Sequence, residues 1–149
     1  MSDADALYEF NERVAIMAES RVPDPEREAC LLLGLTRIAV CGGRDYLDRE
    51  KLFASMDKVL EKHPKMVLVH GGCETGADEY ARQWAGKRFV PQHIYLAQWD
   101  RHGKGAGPIR NRQMARSGLT GLVAFPGGRG TDNMVRHCRD YGVPVLEVT

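Results

Sequence analysis

Three glycine turns carry most of the residues able to do chemistry. They are Cys41-Gly42-Gly43-Arg44-Asp45, Gly71-Gly72-Cys73-Glu74-Thr75-Gly76-Ala77-Asp78 and Pro126-Gly127-Gly128-Arg129-Gly130-Thr131. Glycine lets the backbone come close to a ligand. A turn that opens a helix also aims several N–H groups, and the positive end of the helix dipole, at one point, which suits a phosphate. Gly127, Gly128, Gly130 and Thr131 offer such N–H groups, and Arg44 or Arg110 can bring a bidentate fork to the same anion. Asp45 and Asp78 carry acceptors for sugar hydroxyls, although Asp78 and Asp132 also stand where helix caps belong. Trp99 can stack on a base or anchor its own loop. With Asn111 beside Arg110, and with Gly42, Gly43, Gly71, Gly72, Thr75, Gly76 and Pro126 shaping the turns, these residues form the expected ligand site. Asp45, Asp78 and Arg110 are its candidates for a catalytic role.

The same residues exclude several chemistries. No turn runs on into Gly-Lys-Ser/Thr, and the first turn lacks G-x-G-x-x-G, so neither a P-loop nor a dinucleotide fingerprint is present. No nucleophile elbow appears. The four cysteines, Cys30, Cys41, Cys73 and Cys138, have no short paired spacing and read as reduced, inert thiols rather than nucleophiles. A zinc set of His70, Cys73, His137 and Cys138 can be drawn, but the adjacent His137 and Cys138 leave a helix in different directions. No metal and no cofactor are expected.

The elements that must position the turns follow from periodicity. Leu7, Phe10, Val14 and Met17 predict an amphipathic helix within residues 4 to 20. Asp24 as cap and Pro25 as first helical residue start a second helix, which reaches about Leu33 and stops at Gly34. This helical extension, residues 1 to 35, holds no convergent polar set and reads as a cap or an oligomer contact. From Thr36 onward, apolar runs alternate with amphipathic segments. Strands are read at 37–41, 66–70, 93–97, 122–125 and 144–148. A helix capped by Asp48 ends near His63-Pro64, and a second, with Ala77, Tyr80, Ala81, Trp84 and Ala85 on one face, ends near Gly86. Residues 99–107 read as a mobile polar loop before a helix started by Pro108, and a last helix ends at Gly142.

Five strands separated by helices predict an α/β fold: a Rossmann-like, doubly wound parallel sheet over residues 36 to 149 with helices on both faces. All three turns then lie on the carboxyl edge of one sheet, where such folds bind ligands.

With 149 residues and a formal net charge of +1, the chain is one domain without the basic surface of a nucleic-acid binder. Single-strand nucleic-acid binding would also need a series of stacking aromatics. No apolar run is long enough to span a bilayer, and the acidic start lacks the basic region of a signal peptide. A cytoplasmic protein without membrane contact is expected, and the N-terminal helices offer apolar area for a homodimer.

Taken together, Arg37-Ile-Ala-Val-Cys-Gly-Gly-Arg-Asp45, His70-Gly-Gly-Cys-Glu-Thr-Gly-Ala-Asp78, His102-Gly-Lys-Gly-Ala-Gly-Pro-Ile-Arg-Asn111 and Phe125-Pro-Gly-Gly-Arg-Gly-Thr131 resemble the YspA-type, cpYpsA-related branch of the SLOG superfamily over residues 36 to 149. The resemblance implies a Rossmann-like fold and a pocket for a nucleotide or nucleotide-derived ligand, with the glycine motifs as its floor. It also links the chain to the cytokinin-activating phosphoribohydrolases once called lysine decarboxylases and to the single-strand DNA-binding DprA proteins. In the phosphoribohydrolases P-G-G-x-G-T-x-x-E ends in a glutamate that works with an arginine on the ribose of a nucleoside monophosphate. Arg110 is a counterpart for that arginine, but the glutamate position is Met134, whose thioether can neither accept a proton nor stabilise a cationic centre as a carboxylate does. The favoured expectation is therefore binding, as sensor or carrier, of a nucleotide-derived small molecule. The alternative is hydrolysis of an N-glycosidic or phosphoester bond in such a ligand.

Overall fold

The computed structural model describes residues 24–149 together with Ser2, Ala6, Leu7 and Phe10. The helix expected over residues 4 to 20 therefore lies almost wholly outside the described residues. Helix α1 (Pro25–Leu32) leads into β1 (Thr36–Cys41), α2 (Arg49–Lys62), β2 (Met66–His70), α3 (Gly76–Arg88) and β3 (Gln92–Ile94). After a single helical turn, α4 (Trp99–His102), come α5 (Ala106–Ala115), β4 (Gly121–Ala124), α6 (Arg129–Asp140) and β5 (Val145–Glu147).

The five strands form one all-parallel sheet in the order β3-β2-β1-β4-β5. Chain order reverses between β1 and β4, so the helices that follow these two strands diverge to opposite faces and leave a crevice at their carboxyl ends. Alternate residues of each strand supply the two cores. Ile38, Val40, Leu68 and Val123 face Leu52 and Met56 of α2 and Ala77, Ala81, Trp84 and Ala85 of α3. Ala39, Cys41, Val69, Leu122 and Ala124 face Met114 of α5 and Met134, Val135 and Cys138 of α6. Because both faces are covered, β1 from Ile38 and β2 up to Val69 are continuously apolar and do not alternate.

The expected caps form. The Asp24 carboxylate accepts from Arg27 N–H at 3.0 Å and that of Asp48 from Lys51 N–H at 3.1 Å. Three expectations need correction. The third strand is Gln92–Ile94 rather than 93–97, because beyond Ile94 the register with β2 is exhausted and the chain peels away. Helix α3 does not stop near Gly86 but runs to Arg88, where Phe89 takes a left-handed conformation (φ 57°) and Val90 N–H returns to the Ala85 carbonyl. Residues 99–107 are not a loop: α4, a 3₁₀ turn at Gly103–Gly105 and the first turn of α5 follow each other, and α5 begins at Ala106, two residues before Pro108. Buried Ala106 anchors this stretch, a packing contact that its glycine and charge content conceals.

His137 of α6 is buried, and desolvation, assisted by the positive charges of Arg112 and Arg136, holds its imidazole down at about 4 against an ordinary 6.5. Unfolded chains take up this proton first as pH falls. The contribution is thus complete above pH 6.5 and lost progressively toward pH 4, about 3 kcal/mol for a shift of this size. Urea midpoints should fall across that window, and His137→Gln should flatten the fall.

Candidate ligand-binding site

Three backbone hydrogen bonds join the glycine turns into one floor. Gly43 N–H donates to the Pro126 carbonyl at 2.9 Å, the Gly43 carbonyl accepts from Ala77 N–H at 3.1 Å, and Phe125 N–H donates to the Cys41 carbonyl at 2.9 Å. Glycine is required where the turns touch. A Cβ at Gly42 would stand 2.5 Å from that of Ala77, one at Gly127 2.7 Å from Gly43 N, and one at Gly76 would overlap the Gly43 carbonyl oxygen.

Above this floor lies a cleft of about 500 Å³ at the carboxyl ends of β1 and β4, within the usual range for a small-ligand site. Of the residues expected from sequence, Gly42, Gly43, Arg44, Asp45, Gly71, Asp78, Trp99, Arg110, Asn111, Gly128, Gly130 and Thr131 line it. Pro126, Gly127, Thr75 and Gly76 stand outside its lining, with Gly76 and Gly127 packed between turns. Gly72 borders a separate, shallower hollow beside Ile94 and Leu96.

Helix α6 opens onto the cleft. Its cap residue is Gly128, no side chain caps it, and Gly128, Arg129, Gly130 and Thr131 all reach the cleft wall. The first helical N–H groups have no partner inside a helix, so these point their donors and the dipole's positive end outward.

Arg110 crosses the opposite wall. Its Nη1 donates to the Gly71 carbonyl at 2.8 Å and to the Tyr95 carbonyl at 3.3 Å, and its Nε donates to Asn111 Oδ1 at 3.0 Å. The guanidinium lies directly over Gly71, where a Cβ would come within 2.6 Å of Cζ. Asn111 in turn donates through Nδ2 to the Gly130 carbonyl at 3.2 Å and to Asn133 Oδ1 at 3.1 Å. This chain ties α5 to the mouth of α6 and fixes the guanidinium plane. Sequence reading missed Asn133, although it lies three residues beyond Gly130 and so on the same helix face.

Asp78 is 7% exposed and lies inside the first turn of α3, yet it is not the helix cap. Thr75 holds the cap position, while Asp78 Oδ2 accepts from Cys73 N–H at 3.2 Å and so braces the second turn from within. Among the described residues the carboxylates that line the cleft are Asp45 and Asp78. Met134, 1% exposed, also lines it.

The cleft thiols are not activated. Burial pushes Cys41 up, and burial with the Asp78 carboxylate nearby pushes Cys73 up, so both stay protonated at neutral pH. Among the described residues no three His, Cys, Asp or Glu side chains are grouped as a metal would need. No helix among those residues is long and apolar enough to cross a membrane.

Comparison with known proteins agrees with this architecture. The model of the family described as YspA, cpYpsA-related SLOG matches residues 36–102, which include the first two glycine turns. The chain is also 36% identical over 121 residues to the Gene 61 protein of Mycobacterium phage D29, an alignment that covers 75% of this chain and 95% of that protein. The chain belongs to the YspA, cpYpsA-related SLOG family. Within this SLOG domain the third glycine turn lies beyond the matched segment, yet the hydrogen bond from Gly43 to Pro126 makes it part of the same floor. SLOG membership points to nucleotide-related ligands, bound or processed.

Proposed function

We propose that this protein binds a phosphorylated, ribose-bearing ligand of the nucleotide class in the cleft between β1 and β4, as a sensor or carrier. The observation that carries the reading is the convergence on one cleft of the uncapped α6 terminus, the tethered Arg110 guanidinium and the buried Asp78 carboxylate. A phosphate suits the donors at Gly128 to Thr131, with Arg110 as counter-charge. Ribose hydroxyls suit Asp78, whose burial keeps competing water away.

Hydrolysis of an N-glycosidic or phosphoester bond is the second reading, and Asp78 favours it as a carboxylate already held in the cleft. Against it stands the buried Met134 thioether in the place where the resembling phosphoribohydrolases carry their glutamate.

The test is thermal unfolding with AMP, ADP-ribose, NAD and other nucleoside monophosphates, each mixture afterwards run on an anion-exchange column. At least one nucleotide should raise the melting temperature in a concentration-dependent way. Arg110→Ala should weaken that ligand about 10- to 100-fold, the loss of a charge-assisted hydrogen bond or two. Product peaks that vanish in Asp78→Asn would move the assignment to hydrolase. If no nucleotide shifts the melt of the wild type, the cleft reading is wrong.

A further inference from the structure

Trp99 is a large aromatic side chain left 49% exposed on the wall of the cleft. It begins the single turn α4, and its ring edge stands over the start of α5: even a Cβ added at Gly107 would lie 3.6 Å from Trp99 Cη2. Facing the ring is the exposed Arg44 side chain, with its guanidinium carbon 5.9 Å from the ring centroid. That separation is the outer edge of a cation–π contact, which within ~6 Å is worth little at an exposed site. It is too wide for direct stacking and nearly wide enough for something flat between the two groups. Stacked layers sit about 3.5 Å apart, so a planar ring between Arg44 and Trp99 needs about 7 Å, an opening only about 1 Å larger than the gap present.

We propose that Arg44 and Trp99 are a specificity clamp for a purine base, which slides between the guanidinium and the indole while the phosphate rests at the mouth of α6. The inference rests on the cleft reading above and adds to it the class of base. Both clamp groups offer flat faces to a π-system, and a purine covers more of either than a pyrimidine does. The assignment also separates the two arginines of the cleft. Arg110 is held by backbone carbonyls on the floor and serves the anion, whereas Arg44 faces the ring and serves the base. Asp45, next to Arg44 and also on the cleft wall, is placed near the base edge rather than the phosphate.

The protein carries its own reporter. Its sequence has two tryptophans, and the other, Trp84, is fully buried with Nε1 donating to Asp57 Oδ1 at 2.9 Å, away from the cleft. A ligand-dependent change in tryptophan emission therefore reports on Trp99.

The experiment titrates the full-length protein with AMP, CMP and ribose 5-phosphate, following tryptophan fluorescence and, independently, calorimetry. AMP should quench emission and bind more tightly than CMP, and ribose 5-phosphate should bind without quenching. Trp99→Ala should weaken AMP about 10- to 100-fold and leave ribose 5-phosphate unchanged, with Trp99→Phe recovering most of the loss. Arg44→Ala should weaken AMP by a smaller factor in the same selective way. The clamp is overturned if AMP and ribose 5-phosphate bind equally, or if Trp99→Ala weakens both alike. The cleft reading survives either result so long as Arg110→Ala still weakens both about 10- to 100-fold. If neither compound binds the wild type, the clamp falls, and the cleft reading falls with it only when none of the other nucleotides shifts the melt either.

Discussion

Gly76→Ala should cost the protein about 2–5 kcal/mol of stability, the sum of about 1–2 kcal/mol for a left-handed non-glycine residue and about 1–3 kcal/mol for overpacking. Gly76 has φ 73°, and a methyl group there would overlap the Gly43 carbonyl oxygen and stand 2.7 Å from the Arg44 backbone carbon. Neither obstacle is a flexible side chain that can swing aside. The first turn would have to retreat, and with it the hydrogen bond from Ala77 N–H to the Gly43 carbonyl. The effect should appear as a lower urea midpoint without a change in slope. Gly86 is the internal control. It lies in the same helix with nothing within 4 Å of an added Cβ, so Gly86→Ala should stabilise by about 0.5–1 kcal/mol. Opposite signs from two glycines of one helix separate the turn contact from helix propensity. Equal effects would mean that the contact between turns is not what Gly76 is for.

Arg37→Met should be comparably costly, about 3–5 kcal/mol, as expected when the charged member of a buried polar network is removed and its partners stay behind. Arg37 is fully buried at the start of β1. Its Nη1 donates to His93 Nδ1 at 3.0 Å, and its Nη2 donates to Tyr95 Oη and to Ser117 Oγ, each at 3.0 Å. Because an arginine cannot accept, His93 must carry its proton on Nε2, which stands 3.6 Å from Asp24 Oδ1. The Tyr95 hydroxyl donates to Asp24 Oδ2 at 2.5 Å. The network therefore joins β1, the stretch after β3, the end of α5 and the cap of α1. Burial tends to raise the Asp24 carboxyl, but the Tyr95 hydroxyl and Arg27 N–H, with the neighbouring His93 imidazole and the Arg37 guanidinium, outweigh it and leave it lowered. Arg37→Lys should rescue little, since an ammonium cannot reproduce the fork. A cycle of Arg37→Met with Asp24→Asn should return a coupling energy of about 0.5–3 kcal/mol. Additivity would show that Tyr95 does not relay between them.

The network also shows where the sequence was opaque. Arg37 looked like the polar first residue of an apolar strand, and nothing near it in sequence announces His93, Tyr95, Ser117 or Asp24, which lie up to 83 residues from the Arg37 to Thr120 contact's other end and meet only through the fold. By contrast, the sheet was legible because both of its faces are buried, which writes apolar runs through the middle of β1, β2 and β4. Asp24 and Asp48 were legible as caps because a cap is satisfied within three residues. Asp78 read equally as a sugar-hydroxyl acceptor or another cap, and only the geometry pairs its carboxylate with Cys73 N–H. The stretch from Trp99 to Gly105 misled because glycine and charge signal irregular structure, whereas here consecutive short turns are held by buried Ala106. In the site, residue types were readable but allocation was not. The glycines of three turns looked like equivalent ligand contacts, while the structure divides them between those that line the cleft and those, Gly76 and Gly127, that hold one turn against the next.

Gly43 touches both other turns through its own two backbone groups, so none of the three can loosen alone. The cleft floor is therefore braced as one unit, and a ligand bound as proposed would meet it preorganised. Little backbone entropy is left to lose on binding. What remains to be ordered is side chain, chiefly Arg44 and Trp99 at the rim, at about 0.5–1.5 kcal/mol for each group immobilised. On the proposed reading, the ordering cost of binding is therefore met at the rim, and the glycines beneath decide whether there is a floor at all.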